Sequence, residues 1–164
     1  MRDGISFKGV FKFDVYSPGG IYLGTLHIPN TTMTAGRTDL LSVAFAAGTQ
    51  KTAWYFGLID ATGYSAISAG DTSAAHAGWT ESTAYAEATR QAWSPTAASS
   101  VATNATAPTI TMNATTTVKG AFIISNSTKG GATGILWSAG LFSSGDQALV
   151  SGQVLRPTYS LTAA

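Results

Sequence analysis

Alternating apolar and polar positions predict a β-hairpin at the start of the chain. From Phe7 to Tyr16, phenylalanine and valine alternate with lysine and aspartate, the period of two that a half-buried strand shows. Ser17-Pro18-Gly19-Gly20 provides proline and glycine for the central positions of a type II turn. Ile21 to Ile28 returns as the second strand, so residues 7–28 are predicted to form two paired strands.

One short helix is predicted after the hairpin, at about residues 36–46. Thr34 can cap its start and Gly48 fits its exit. A helix this short does not stand alone, so we expect it to close the open end of a sheet. Its apolar face, at helical spacing, would consist of Leu40, Leu41, Ala44 and Phe45.

The stretch from Trp54 to Trp93 holds three of the four tryptophans, and we expect the rest of the chain to be organised around it. It begins with WYFGLID at Trp54–Asp60, which is apolar without helical spacing, as a strand buried on both faces would be. A long connection without a sustained period follows. Within it, Gly70 to His76 resembles one helical turn with Asp71 as its N-cap.

The C-terminal half predicts short strands separated by turns rich in Gly, Ser and Asn. The low-complexity run at 96–107 is either a loop or an extended edge segment that lies along a neighbour. Together the pattern indicates a mainly β fold: an antiparallel, jelly-roll-like β-sandwich with one short helix and an N-terminal β-hairpin. The expected strands are Pro108–Asn113, Val118–Ser125, Ile135–Phe142 and Val154–Leu161.

The domain organisation follows from these elements. Residues 31–164 would form the sandwich domain, with a long loop at 60–95. Residues 1–30 would be a hairpin arm, or part of the same domain. The 164 residues are enough for a substantial hydrophobic core without disulfide bonds or a bound metal to stabilise it.

Charge is the most unusual feature of the composition. Charged residues make up 10% of the chain, against about 25% in ordinary soluble domains. Interface cores are depleted in charge, so such a surface suits packing against neighbours, although a neutral, hydroxyl-rich monomer is the alternative. The net charge of +1, without a Lys/Arg cluster, predicts no nucleic-acid partner and no anionic membrane partner. The start of the chain lacks a signal-peptide pattern and no apolar run approaches ~18 residues, so we expect cytosolic synthesis and no membrane span.

Candidate catalytic chemistry is weak along the whole sequence. Asp71-Thr72-Ser73 resembles the aspartic-protease motif, but a serine replaces its glycine and the second copy that a dyad needs is missing. No nucleophile-elbow glycines flank a serine that could act with His76, so we expect a histidine hydrogen-bonded inside a loop. His27 has no carboxylate or second histidine at a matching spacing, so we expect a histidine at a strand end. The glycine-rich run at 130–134 lacks a following Lys-Ser/Thr, the acidic residues are scattered and cysteine is absent, so we predict no enzyme activity, no metal and no cofactor.

Three aromatic residues and one arginine in the long connection are the candidate functional residues. Side chains of these types form interface anchors, carbohydrate-binding platforms or core contacts. The sequence alone leaves these three readings open. We predict an interface role, and the residues are Trp79, Tyr85, Arg90 and Trp93.

The order of motifs resembles a family of small virion proteins of tailed bacteriophages. The matching segments, between about Phe11 and Leu161, are the Pro-Gly-Gly hairpin turn, NTTMTAGRTDLL, WYFGLID, GDTSAAHAGWTE with TRQAW, and SNSTKGGATGILWSAGLF. The resemblance implies a structural protein similar to head decoration, or cement, proteins, which are often trimers with a jelly-roll-like sandwich. It implies binding to the major capsid protein on the outside of the capsid, after synthesis in the host cytoplasm. The alternative is a tail-fibre or spike module that recognises host glycans through exposed aromatic residues.

Overall fold

The computed structural model describes residues 6–163, so residues 1–5 of the predicted arm and Ala164 of the predicted sandwich domain lie outside the described part. The described residues are mainly β-strand with one helix, α1, as the sequence predicted. The elements are β1 (Phe7–Tyr16), β2 (Tyr22–Thr32), α1 (Thr34–Phe45), β3 (Trp54–Asp60), β4 (Glu81–Ser82), β5 (Gln91–Trp93), β6 (Pro95–Ala98), β7 (Val101–Asn104), β8 (Ile110–Thr111), β9 (Thr116–Ile124), β10 (Leu136–Leu141), β11 (Gln147–Leu149) and β12 (Val154–Ala163).

The strands form one antiparallel sheet that curls over itself. Its order is β4-β3-β9-β10-β2-β1-β12-β7-β6, with β5, β8 and β11 as short additions to β3, β12 and β9. The first part of β2 pairs with β1, whereas Asn30–Thr32 pair with β10. Side chains from the two halves meet across the interior, since the ring centroids of Phe11 on β1 and Phe56 on β3 are 6.4 Å apart. The architecture is therefore a jelly-roll-like β-sandwich, and the predicted fold class is confirmed.

The N-terminal hairpin lies inside this sheet. β1 pairs with β2 on one side and along its whole length with β12 on the other, from Phe7 opposite Ala163 to Tyr16 opposite Val154. Phe11 and Phe13 are fully buried. Of the two arrangements that the sequence left open, the described residues of the hairpin form part of the main sheet.

The hairpin turn differs from the predicted type II turn. The Gly20 N–H donates to the Ser17 carbonyl oxygen at 2.9 Å, and it is Gly20, with φ +81°, that takes the left-handed conformation. Gly19 does not have positive φ. This is the arrangement of a type I turn followed by a left-handed glycine, whose twist suits the flanking strands. The two consecutive glycines made both turns possible.

Helix α1 is confirmed, but its predicted amphipathic face is wrong. Leu41 is 58% exposed and Phe45 is 82% exposed, and only Leu40 packs partly against the core. The helix instead contacts the sheet through Gly36, where an added Cβ would lie 2.8 Å from the Trp137 Cα. Because the closest approach to the sheet is at Gly36, the part of the helix surface that carries Leu41 and Phe45 stays exposed.

The predicted caps of α1 are also wrong. The N-cap residue is Met33, which makes no side-chain capping bond, and Thr34 is already helical. At the other end the left-handed residue is Ala47, with φ +54°, and Gly48 instead packs closely on Ser42. The backbone N–H groups of Ala46 and Gly48 both donate to the Ser42 carbonyl oxygen, which ends the helix.

The C-terminal half follows the predicted strands with shifted bounds. The strand expected at 108–113 shrinks to β8, Ile110–Thr111. The low-complexity run forms the hairpin β6–β7 at the sheet edge, so the extended-segment alternative is the observed one, and the neighbour it lies along is β12 of the same chain. The short strands β4, β5 and β11 were not predicted.

Strands β3 and β9 are buried on both faces because the molecule has two apolar cores. On β9, Ala121 and Ile123 face the main core between the halves of the sandwich, whereas Phe122 and Ile124 face a second core on the opposite side. Trp79 covers this second core from the long connection that follows β3. The unperiodic segment therefore packs as an extra layer on the sheet.

Candidate functional site

The four predicted anchor residues are all buried within the chain. Tyr85 is 0% exposed, Trp79 and Arg90 are each 3% exposed, and Trp93 is 6% exposed. The sequence had left interface contact, carbohydrate binding and core packing open for these side chains. The structure places all four side chains inside the chain.

Trp79 holds the long connection onto the second core. Its ring centroid lies 5.2 Å from that of Phe122, and its indole N–H donates to Asp71 Oδ2 at 2.8 Å. Asp71 Oδ2 also accepts the Ser68 N–H at 3.0 Å. The helical turn predicted here, with Asp71 as N-cap, is wrong, because the carboxylate bonds to the tryptophan instead.

His76 has the placement in a loop that the sequence predicted, whereas His27 lies in the middle of a strand and not at its end. His76 stacks on Trp79 with ring centroids 4.1 Å apart, and its Nδ1 lies 2.9 Å from the Trp79 carbonyl oxygen. His27 lies within β2, with an exposed side chain. His76 is therefore part of the packing that shapes the long connection.

Trp93 and Tyr85 belong to the main core, away from Trp79. The Trp93 indole donates to the Tyr159 carbonyl oxygen at 3.0 Å. The Lys129 ammonium lies 4.3 Å from the centre of the Tyr85 ring. Burial is the main cause that raises the pKa of the Tyr85 phenol, and the negative charge of Glu81 adds to it. The four residues thus do not form one surface.

Arg90 forms the strongest polar cluster of the described residues. Its Nε and Nη2 donate to the two carboxylate oxygens of Glu81 at 2.9 and 2.7 Å, a bidentate pair whose side chains are only 2% and 7% exposed. Arg90 also donates to the carbonyl oxygens of Asn126 and Gly131 at 2.9 and 3.0 Å. The Gly130 N–H donates to Glu81 at 2.7 Å. This cluster fastens the β9–β10 loop to the long connection.

The exposed surface carries two groups of large apolar side chains that the sequence analysis did not single out. The tip patch, at the start of β2, consists of Ile21, Tyr22 and Leu23, which are 69%, 55% and 55% exposed. The helix patch consists of Leu41 and Phe45 on α1, which begins two residues after β2 ends. The two patches therefore lie on different elements of the fold. The sequence signal for the tip patch was the run of three apolar residues directly after the two glycines of the turn. These residues do not alternate with polar ones, as a half-buried strand would require.

Residues 6–163 contain no candidate metal site and no candidate membrane-spanning helix. No three His, Asp or Glu side chains in this range lie close enough together to hold a metal ion. None of the helical segments in the same range is both long and apolar enough to cross a bilayer.

No protein-family model matches the chain, and no curated protein matches it either.

Proposed function

We propose that this protein is a structural component of a tailed-bacteriophage virion that binds the outside of the capsid and stabilises it. The sequence resemblance supports the virion assignment. The observation that carries the binding role is the pair of uncharged apolar patches on a chain with only 10% charged residues. The role is structural and non-enzymatic.

The energetics of the two patches suit multivalent attachment. Burying one leucine, isoleucine or phenylalanine side chain contributes about 1.5–3 kcal/mol, so a patch of two or three half-exposed side chains gives a weak individual contact. Repetition on a symmetric surface strengthens such contacts through effective concentration without making any single one strong. Large exposed apolar groups on a folded domain typically mark interaction sites.

A trimer fits the presence of two different patches. Subunits in a closed ring contact each other through heterologous surfaces, and the ring must also bind the major capsid protein. The tip patch lies at the start of β2 and the helix patch lies on α1, so they provide separate surfaces for these contacts.

The alternative of a glycan-binding tail module loses its main support. That reading depended on exposed rings at Trp79, Tyr85 and Trp93, and these three side chains are buried. We therefore favour the capsid.

Co-sedimentation of purified protein with capsids that lack it tests the proposal. The double variants Leu41→Ser/Phe45→Ser and Ile21→Ser/Leu23→Ser should keep the wild-type unfolding temperature, because these side chains are already exposed. Each should reduce capsid binding or trimer formation. Val10→Thr, at a 42% exposed position outside both patches, is the matched control and should bind normally. Wild-type binding and assembly by both double variants would remove the patches from the proposal.

A further inference from the structure

A cavity of about 250 Å³ opens between the long connection and the β9–β10 loop. Its floor is buried and its mouth is formed by exposed or half-exposed residues such as His76, Thr80 and Ala132. Below the mouth, the wall combines the apolar second core with the arginine–glutamate pair. The lining side chains at the floor are Ser73, Trp79, Glu81, Arg90, Phe122, Ile124 and Leu136.

Two buried polar side chains in this wall have unused hydrogen-bonding capacity. Ser73 is 5% exposed, and its hydroxyl has no hydrogen-bond partner within residues 6–163. Arg90 has five N–H donors and uses four of them, so one Nη1 N–H remains without an acceptor in the described chain. Glu81 accepts three bonds, two from Arg90 and one from the Gly130 N–H, and its carboxylate also interacts with the buried Tyr85 hydroxyl of the same chain. Buried polar groups are nearly always paired, so a bound polar molecule would complete this set.

The chemistry of the wall limits what can bind. Arg90 and Glu81 neutralise each other in a bidentate pair, so the cavity does not favour an ion of either sign. Its free groups are one arginine N–H donor and a serine hydroxyl that can both donate and accept, so they can bond to hydroxyl groups on a ligand. Trp79 and Phe122 also line the cavity and make this part of its wall apolar. The volume lies just below the ~300–1,000 Å³ of drug-sized sites, so it suits one small ring.

We propose that this cavity binds a single neutral sugar ring, either as a free monosaccharide or as the terminal unit of a glycan. The ring hydroxyls bond to Ser73 and Arg90, and the C–H groups of the ring contact the apolar lining. This binding does not depend on the capsid patches, because it uses buried groups on a different part of the molecule.

NMR titration of the ¹⁵N-labelled wild-type protein tests the site directly. The reporters are the Trp79 indole N–H and the backbone N–H groups of Gly130 and Gly131, all in or beside the cavity wall. Neutral hexoses and N-acetylhexosamines are added singly, up to about 10 mM, tenfold above a Kd of about 1 mM. A parallel glycan array carries the same sugars as terminal residues and distinguishes the two sources. We expect saturable shifts confined to these reporters with at least one sugar.

Two variants and one control make the test specific. Ala132→Phe fills the exposed mouth and should weaken binding at least tenfold, whereas Ala88→Phe, an exposed alanine away from the cavity lining, should leave it unchanged. Ser73→Ala removes one hydrogen bond and should weaken binding about fivefold while folding normally, because its hydroxyl has no partner to lose. Absence of saturable shifts with every sugar and of array binding, or equal binding by the Ala132→Phe variant, would overturn the proposal. Capsid co-sedimentation is unaffected by either outcome.

Discussion

Replacement of Arg90 by methionine should remove a large part of the stability of the fold. The change deletes four hydrogen bonds and leaves the carboxylate of Glu81, only 7% exposed, with the Gly130 N–H as its remaining donor. The carbonyl oxygens of Asn126 and Gly131 also lose their donor. Breaking a buried ion pair by removing one partner costs about 3–5 kcal/mol, because the other charge stays buried and unpaired. Both side chains are almost fully buried, so solvent screening reduces this figure little.

Urea unfolding followed by tryptophan fluorescence measures the effect. The matched control is Lys119→Met, which breaks the exposed Lys119–Asp146 pair, 25% and 44% exposed, and should cost less than about 1 kcal/mol. Glu81→Gln should also destabilise, and the Arg90→Met/Glu81→Gln double variant should lose less than the sum of the two single changes, since each removes the same interaction. A loss below about 1 kcal/mol for Arg90→Met, equal to that of the control, would refute the view that this pair fastens the β9–β10 loop.

Three further predictions concern backbone fit and alkaline stability. Ser100→Gly should stabilise the β6–β7 turn by about 0.5–1 kcal/mol in thermal unfolding, because Ser100 has φ +65°, which glycine adopts without strain. A destabilised variant would contradict this prediction. Gly120→Ala should lose about 3 kcal/mol or more in urea unfolding, because its Cβ would clash with the Gly140 carbonyl oxygen on the paired strand, whereas Gly70→Ala, with only a Ser68 contact at 3.7 Å, should be tolerated. Equal stability of the two alanine variants would show that β9 and β10 can separate. Burial raises the pKa of the Tyr85 phenol above its ordinary value of 10.0. The folded state therefore favours the neutral phenol, and the stability that this form contributes is complete below pH 10.0 and is lost as the pH rises above it. Tyr85→Phe should therefore show a shallower fall in unfolding free energy above pH 10.0, and an unchanged fall would exclude Tyr85 as its source.

The sequence predicted the strands of the sandwich well because their burial has a local signature. The alternation in β1 and the apolar run of β3 each record which faces are covered. The edge hairpin β6–β7 was only one of two alternatives, because small residues pair as strands without leaving a strong pattern. The pairing of β7 with β12 is what makes this segment extended.

The placement of the candidate residues depended on contacts distant in sequence. Trp79 lies among Gly, Ala and Thr residues, and its burial follows from Phe122, which lies 43 positions later and faces a second core. Arg90 is buried because Asn126 and Gly131 supply carbonyl oxygens from another loop. On α1, hydrophobic spacing predicted the wrong face because a glycine makes the closest contact.

The central claim is attachment to a capsid, and counting bound copies tests it most directly. Purified protein is mixed with capsids that lack it, and cryo-electron microscopy of the particles gives the number and positions of bound copies. The account predicts saturable binding as trimers at symmetry-related sites on the outer surface, with the tip patch or the helix patch at the contact. Capsids that stay bare at saturating protein, or binding that never saturates, would contradict it.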